Sequence, residues 1–294
     1  MAKPLEKITK EYPVRGPLSQ FRFEKSISFN CFRCNESKTS KLITIYGNDW
    51  DKRLCNGCYG RLLSIYEIKS GQIVIDDKVS QLLNVLVKLV DESKIKAKSN
   101  RIYLQNNKSK YLSASALRFY ATSECVAETL TKEPNLDWSA AIIGLCKAFE
   151  LELIERFINP LRELCNSVLI DEADLKDKDF GRIASYCAGK IIKPPELGVI
   201  KHFISTAINS KIRLENSNFL RMGFKGFINK RANSNWLIDN NGLLKAIESL
   251  TNNYRNKAAH IDELEQSNYI SCKELVFGDN GMMWNLILST DIAL

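Results

Sequence analysis

Apolar positions recur at helical spacing through much of the second half of the chain. Trp138, Ile142, Cys146, Phe149, Leu153 and Phe157 return every three or four residues, which predicts one long helix after Asp137. A stripe that long and that apolar belongs at the centre of a helical bundle. Asp137 can cap the helix, setting a carboxylate at its positive end. Pro160 bends or ends it, because proline has no N–H to donate. A second stripe, Leu197, Val199, Ile200, Phe203, Ile204 and Ile208, follows the helix-opening Pro194-Pro195-Glu196. A third comprises Leu243, Ile247, Leu250, Tyr254, Ala258 and Ile261.

The first half is patterned differently. Val79, Leu82, Leu83, Leu86, Leu89 and Val90 predict a helix from Asp76 to Val90, and another runs from about Ser113 to Thr129. Residues 41–46, Lys-Leu-Ile-Thr-Ile-Tyr, read as a strand. Residues 1–30, with Pro4, Pro13 and Pro17, read as an extended lead-in. Arg101–Leu104 is expected in a loop or hairpin and 171–192 as a charged, variable segment. Lys211 to Asn235 is a basic, asparagine-rich passage. The chain end is expected as a helix, the turn Gly278-Asp-Asn-Gly281 and a short apolar tail.

Two Cys-x-x-Cys elements, Cys31–Cys34 and Cys55–Cys58, stand twenty residues apart. Two close thiolates form a knuckle, and two knuckles complete a tetrahedron around Zn²⁺. The expected strand between them suits a zinc ribbon, and Gly57 and Gly60 are expected to provide positive φ or room near sulfur. With four cysteines and no open position, such a site is structural. Arg33, Lys52, Arg53 and Arg61, with Phe32, Trp50 and Tyr59, offer phosphate contacts and stacking surfaces. A ribbon that only stabilises a small fold or binds protein is an equal alternative.

Charge sharpens this division. Residues 1–135 carry 23 Lys and Arg against 14 Asp and Glu, whereas the remainder carries 19 against 20. The net +8 therefore lies in the first half, which suits an anionic partner there as well as a merely solvated surface. Lys94, Lys96, Lys98, Arg101, Lys108 and Lys110 make a basic connector. The composition, 45% hydrophobic and 26% charged, argues against wholesale disorder. No apolar run is long enough to cross a bilayer, and Met1–Lys10 is too polar for a secretory signal. The expectation is a cytoplasmic protein without membrane contact. The five cysteines outside the two knuckles read as small buried hydrophobes.

Only two histidines occur. His202 has no acidic or cysteine partner at helical spacing and reads as structural or surface. His260 ends Tyr254-Arg-Asn-Lys-Ala-Ala-His260. At about 100° per residue, with Tyr254 at zero, Arg255, Ala259, Asn256 and His260 fall near 100°, 140°, 200° and 240°. They share the face opposite the apolar stripe, and Asn256 lies one turn before His260, where its amide can orient the imidazole. An arginine and a histidine so placed suit phosphodiester chemistry, one binding phosphate and the other moving a proton. Exposed Arg, Asn and His near a helix end also occur without function.

Over roughly residues 131–294, the order "WSAAIIGLCKAFELELIERFINPLRE", then "PPELG", then "LTNNYRNKAAHID" resembles the HEPN superfamily. Its motif is Arg, usually a polar residue next, then His after four to six residues; Arg255, Asn256 and His260 match it in turn. The resemblance implies a metal-independent endoribonuclease, catalytic through Arg255, Asn256 and His260, that homodimerises to build a composite site. Such proteins often serve antiviral defence or act as toxins under a regulatory protein or phage-derived trigger, while others only bind. Where one subgroup carries a modified tyrosine, two residues after the histidine, this chain has Asp262.

The expected architecture is mainly α, with a zinc ribbon at 1–70 (Zn²⁺ on Cys31, Cys34, Cys55 and Cys58), a basic helical connector at 71–130 and a HEPN-like bundle at 131–294. The expected function is RNA cleavage by 2′-OH attack. The alternative is a non-catalytic module that binds nucleic acid or a partner protein.

Overall fold

The computed structural model describes residues 6–33, 36–60, 92–132, 137–176, 180–259 and 264–291. The chain divides into two compact units, 1–89 and 90–294. Most of the protein is helical, and the first unit holds a small antiparallel sheet.

The sheet is a meander of β1 (Ile8–Glu11), β2 (Leu18–Asn30), β3 (Ser37–Tyr46) and β4 (Asp49–Leu54), each paired with the next in sequence. Residues 1–30 are therefore not a lead-in, since they supply β1 and β2. The signal was alternation: Phe23, Ile27 and Phe29 are buried while Arg22, Glu24, Ser28 and Asn30 are exposed. A shift of register between Arg22 and Ile27 interrupts that alternation. Pro13 and Pro17 sit outside the strands, in the β1–β2 connection, where missing N–H groups cost no ladder bond. The β3–β4 hairpin turns on Gly47 (φ 63°) and Asn48 (φ 58°), and Tyr46 pairs with Asp49. Two successive left-handed residues give the turn whose twist matches the strands. Leu18, Phe23, Ile27, Phe29, Ile43 and Leu54 form the core together with Cys31 and Cys58.

The helical unit opens with α1 (Glu92–Gln105), a 3-10 turn (Asn107–Tyr111) and α2 (Ala114–Leu130) capped by Ser113. Next come α3 (Ser139–Leu153), a π turn (Ile154–Ile158) and α4 (Asn159–Cys165). α5 (Glu172–Lys176), α6 (Phe180–Cys187), α7 (Leu197–Asn209) and α8 (Lys211–Asn216) follow. The passage 219–255 alternates π turns with α9 (Lys225–Asn229), α10 (Asn235–Ile238) and α11 (Lys245–Leu250). α12 (Asn256–Ala259), α13 (Gln266–Phe277) and α14 (Met282–Thr290) close the unit.

The apolar stripe of α3 lies in the centre, with Trp138, Ile142, Cys146, Phe149, Leu153 and Phe157 all buried. α2, α12 and α13 pack on it. Beyond it, the rings of Phe157, Phe180, Phe203, Phe219, Phe224 and Phe227 meet with centroids 5.2–6.3 Å apart. Pro160 does not end the helix: the π turn precedes it and α4 continues through it.

Several expectations are corrected here. Arg101–Leu104 lies in α1, not in a hairpin. α1 and α2 belong to the second compact unit, 90–294. Residues 171–192 form α5 and α6, whose Phe180, Ile183 and Ala184 are buried. The apolar tail is α14, burying Met282, Met283, Leu286 and Ile287. The helix expected at 76–90 lies outside the described residues.

Candidate functional site

In the sheet unit, three of the four predicted metal ligands converge. The sulfurs of Cys31, Cys55 and Cys58 all lie within 4.8 Å of one another, with Cys31 and Cys58 buried and Cys55 half-buried. Strand ends bring them together. Cys31 follows β2 and Cys55 follows β4, and the Phe32 N–H donates to the Arg53 carbonyl at 2.7 Å. The Cys31 N–H reaches the Glu36 carbonyl at 2.9 Å, turning the chain after β2 back toward β3. A helical turn over 56–60 then carries Cys58 round beside Cys55, with the Tyr59 N–H donated to the Cys55 carbonyl.

The Cys55 N–H donates to Cys31 Sγ at 3.3 Å. Thiolates at about 2.3 Å from a common metal ion stand about 3.8 Å apart, so this trio fits one ion. Cys34 lies outside the described residues. Gly57 and Gly60 are not conformationally required: among the described residues the positive-φ glycines are Gly16, Gly47 and Gly189, and a Cβ at 57 or 60 meets nothing within 4 Å.

The surrounding aromatic residues separate into two groups. Trp50 packs against Phe21 and Phe23, at 5.0 and 6.3 Å, and Tyr59 packs on the core. Both serve the core and are not open stacking surfaces. Phe32 is exposed, with Lys52 Nζ 5.7 Å from its ring centroid. Arg53 Nε is used internally, donating to the Trp50 carbonyl. Arg33 is half-buried, and Arg61 lies outside the described residues.

In the helical unit, Arg255 ends a π turn, Thr251–Arg255, that joins α11 to α12. The Asn256 N–H bonds the Thr251 carbonyl five residues back. The Thr251 hydroxyl donates to the Ile247 carbonyl at 2.7 Å, filling that acceptor from the side chain. The wider turn takes in an extra residue, so the face beyond it no longer follows a uniform wheel. Leu243, Ile247 and Leu250 are buried as expected. Ala258 and Ala259 are both buried as well, and α12 packs on α3. Ala259 therefore does not share the outer face with Arg255.

Arg255 itself is half-buried and Asn256 exposed. No ion pair engages the Arg255 guanidinium among the described residues. Tyr254 is half-buried, with Ser271 of α13 beside it. Burial raises its pKa, and the nearby Cys272 and Cys146 add to the shift, while Ser271 opposes it. His260, and with it the Asn256–His260 relation, lies outside the described residues. His202 is exposed on α7, as a surface histidine.

One contact had no sequence signal. Where the chain is again described, the Leu264 N–H donates to Asp137 Oδ1 at 2.9 Å and its carbonyl accepts the Trp138 N–H at 2.9 Å. Asp137 also accepts from the Ser139 hydroxyl at 2.8 Å. The start of the central helix thus holds the segment that leads into α13.

No family model matches the chain, and no curated protein or solved structure matches it. Among the described residues, no helix is long and apolar enough to cross a membrane.

Proposed function

We propose that the helical unit is a metal-independent endoribonuclease of HEPN type and that Arg255, Asn256 and His260 carry the reaction. The observation that carries this reading is Arg255 on its π turn, which makes no ion pair among the described residues. Its neighbours Ala258 and Ala259 are buried where α12 packs on α3, whereas Arg255 is half-buried and Asn256 exposed. Phosphate recognition needs a guanidinium carried on a packed support.

In the proposed step, His260 takes the proton of a ribose 2′-OH as the oxygen attacks the adjacent phosphorus. The bond from phosphorus to the 5′-oxygen breaks, and that oxygen leaves with a proton delivered by an imidazolium or by water. The products are a 2′,3′-cyclic phosphate and a 5′-hydroxyl. Arg255 binds the phosphate and stabilises the charge that builds on its oxygens. Asn256 orients His260 or a phosphate oxygen. One arginine and one histidine make a sparse site, so two copies related by a two-fold axis are proposed to complete it.

The sheet unit is read as a zinc ribbon, with Zn²⁺ held by Cys31, Cys34, Cys55 and Cys58. The ion would supply structure, tying the ends of β2 and β4 together without open coordination. A regulatory protein or phage-derived trigger and a cytoplasmic setting complete the proposal. The second reading, a module that binds RNA without cutting it, draws on the excess positive charge of the first half.

Purified protein and its Arg255→Ala and His260→Ala variants, incubated with labelled RNA in EDTA, test the reading. Cleavage by the parent and its loss in both variants is expected. Equal cleavage in all three, or none with the RNA still bound, contradicts the nuclease.

A further inference from the structure

The segment Glu92–Leu112 carries six cations against the single carboxylate of Glu92. Two of the six are engaged. Lys98 pairs with Glu128, and Lys108 Nζ donates to the Asp279 carbonyl at 2.8 Å and lies over the Trp284 ring. The other four, Lys94, Lys96, Arg101 and Lys110, are exposed and form no ion pair among the described residues.

The same stretch exposes aromatic and apolar surface. Tyr103 is 44% exposed, Tyr111 63% and Leu104 77%. α1 buries little beyond Ile95, with Ile102 half-buried on the same side. At about 100° per residue, Lys96 and Tyr103 share one edge of its outer face and Lys94 and Arg101 the other, with Leu104 between them. Lys110 and Tyr111 follow on the 3-10 turn, whose Asn106 cap and Lys108 anchor fix it against the unit. Cations that alternate with open rings are suited to a strand of phosphates and bases.

We infer that the outer face of α1 and the adjoining 3-10 turn bind single-stranded RNA. Lys94, Lys96, Arg101 and Lys110 contact phosphates, and Tyr103 and Tyr111 stack on bases. A bilayer surface fits less well, because membrane-lying helices bury a broad apolar face, and this one offers a single leucine between two tyrosines. An acidic protein would use the cations but leave both rings without a role. The inference rests on the reading that the helical unit handles RNA, and it adds where the strand is held.

Binding of a fluorescently labelled, unstructured single-stranded RNA to the full chain, followed by anisotropy across salt concentrations, tests it. Tyr103→Ala and Tyr111→Ala should each weaken binding by about tenfold, the effect of losing one base stack. Lys96→Ala combined with Arg101→Ala should lower the slope of log affinity against log salt by about 1.4, two single-strand phosphate contacts. Lys176→Ala, at an exposed lysine paired with Glu172, should leave binding unchanged. All these sites are exposed, and unchanged melting curves would establish that the variants are folded. Parent-like binding by the tyrosine and cation variants overturns the inference, as does binding to phosphatidylserine vesicles without binding to RNA. Cleavage by the Arg255→Ala variant is scored separately. RNA held through α1 but never cut retires the nuclease and keeps the strip, whereas cutting that ignores the α1 variants does the reverse.

Discussion

Asp137 accepts a hydrogen bond from the backbone N–H of Leu264 at 2.9 Å, joining two positions 127 residues apart. The same oxygen takes the Ser139 hydroxyl at 2.8 Å. One carboxylate therefore serves the start of the central helix and anchors the segment entering α13. Asp137→Ala removes both roles and should destabilise the unit by about 1–2 kcal/mol, the upper part of the range for a lost cap. Chemical denaturation of the parent and the variant measures the difference, and Asp137→Asn should recover part of it.

Glu152 is fully buried, pairs with Arg156 one turn on, and accepts the Ser113 N–H at 2.9 Å. Arg156 also donates to the Tyr111 carbonyl. Arg156→Met keeps the stem but leaves a buried carboxylate uncompensated, and should cost about 3–5 kcal/mol. Adding Glu152→Gln should return a large part of that loss. Unfolding free energies for the two single variants and the double variant give the coupling directly.

Three tyrosines predict alkaline sensitivity. Burial raises the pKa of Tyr120 and of Tyr269 well above the ordinary 10.0, and the neighbouring Glu124 raises both further. Tyr254 is raised chiefly by burial. The folded state holds these protons more tightly than the unfolded state. Stability is therefore fully present below the unfolded value and falls as pH rises from about 10 through the folded values. The thiols of Cys272, raised by burial, and of Cys187, raised first by its hydrogen bond with Cys165, start the decline from about 9. Melting temperature against pH, recorded with tyrosinate absorbance, should show a plateau and then a cooperative loss in which the tyrosines ionise on unfolding. Tyrosine ionisation well ahead of unfolding would contradict this account.

Metal content should be about one zinc per chain and should be lost in Cys31→Ser, because the ion needs the full tetrahedron. Far-UV spectra of the metal-stripped protein should lose strand signal and keep the helical signal. Cys31 and Cys55 stand at the ends of β2 and β4, so metal loss should loosen the sheet, whereas the helical unit has its own phenylalanine core.

Regular patterns were the readable part of this chain. The α3 stripe and the helix read from about Ser113 rest on local signals, and each places its element within a residue or two. β2 was missed because the prolines before it suggested a loop, while the register slip near Arg22–Ile27 broke the alternation that marks it. α14 was missed because Met282-Met-Trp-Asn-Leu-Ile lies so near the end that it looks like a tail. The outward face of Ala259 was misjudged because a wheel assumes 3.6 residues per turn, and Thr251–Arg255 does not keep it. Spacing singled out Cys31, Cys55 and Cys58, whose sulfurs lie close enough to share an ion, but nothing local links Asp137 to Leu264.

The most direct test is the chemistry of the cut ends. RNA incubated with the parent protein in EDTA should yield fragments ending in 2′,3′-cyclic phosphate and beginning with 5′-hydroxyl. Arg255→Ala should slow their appearance by about a hundredfold or more, as when a donor to the transition state is removed. Fragments with 5′-phosphate ends, or the same rate in the Arg255→Ala variant, would contradict the account.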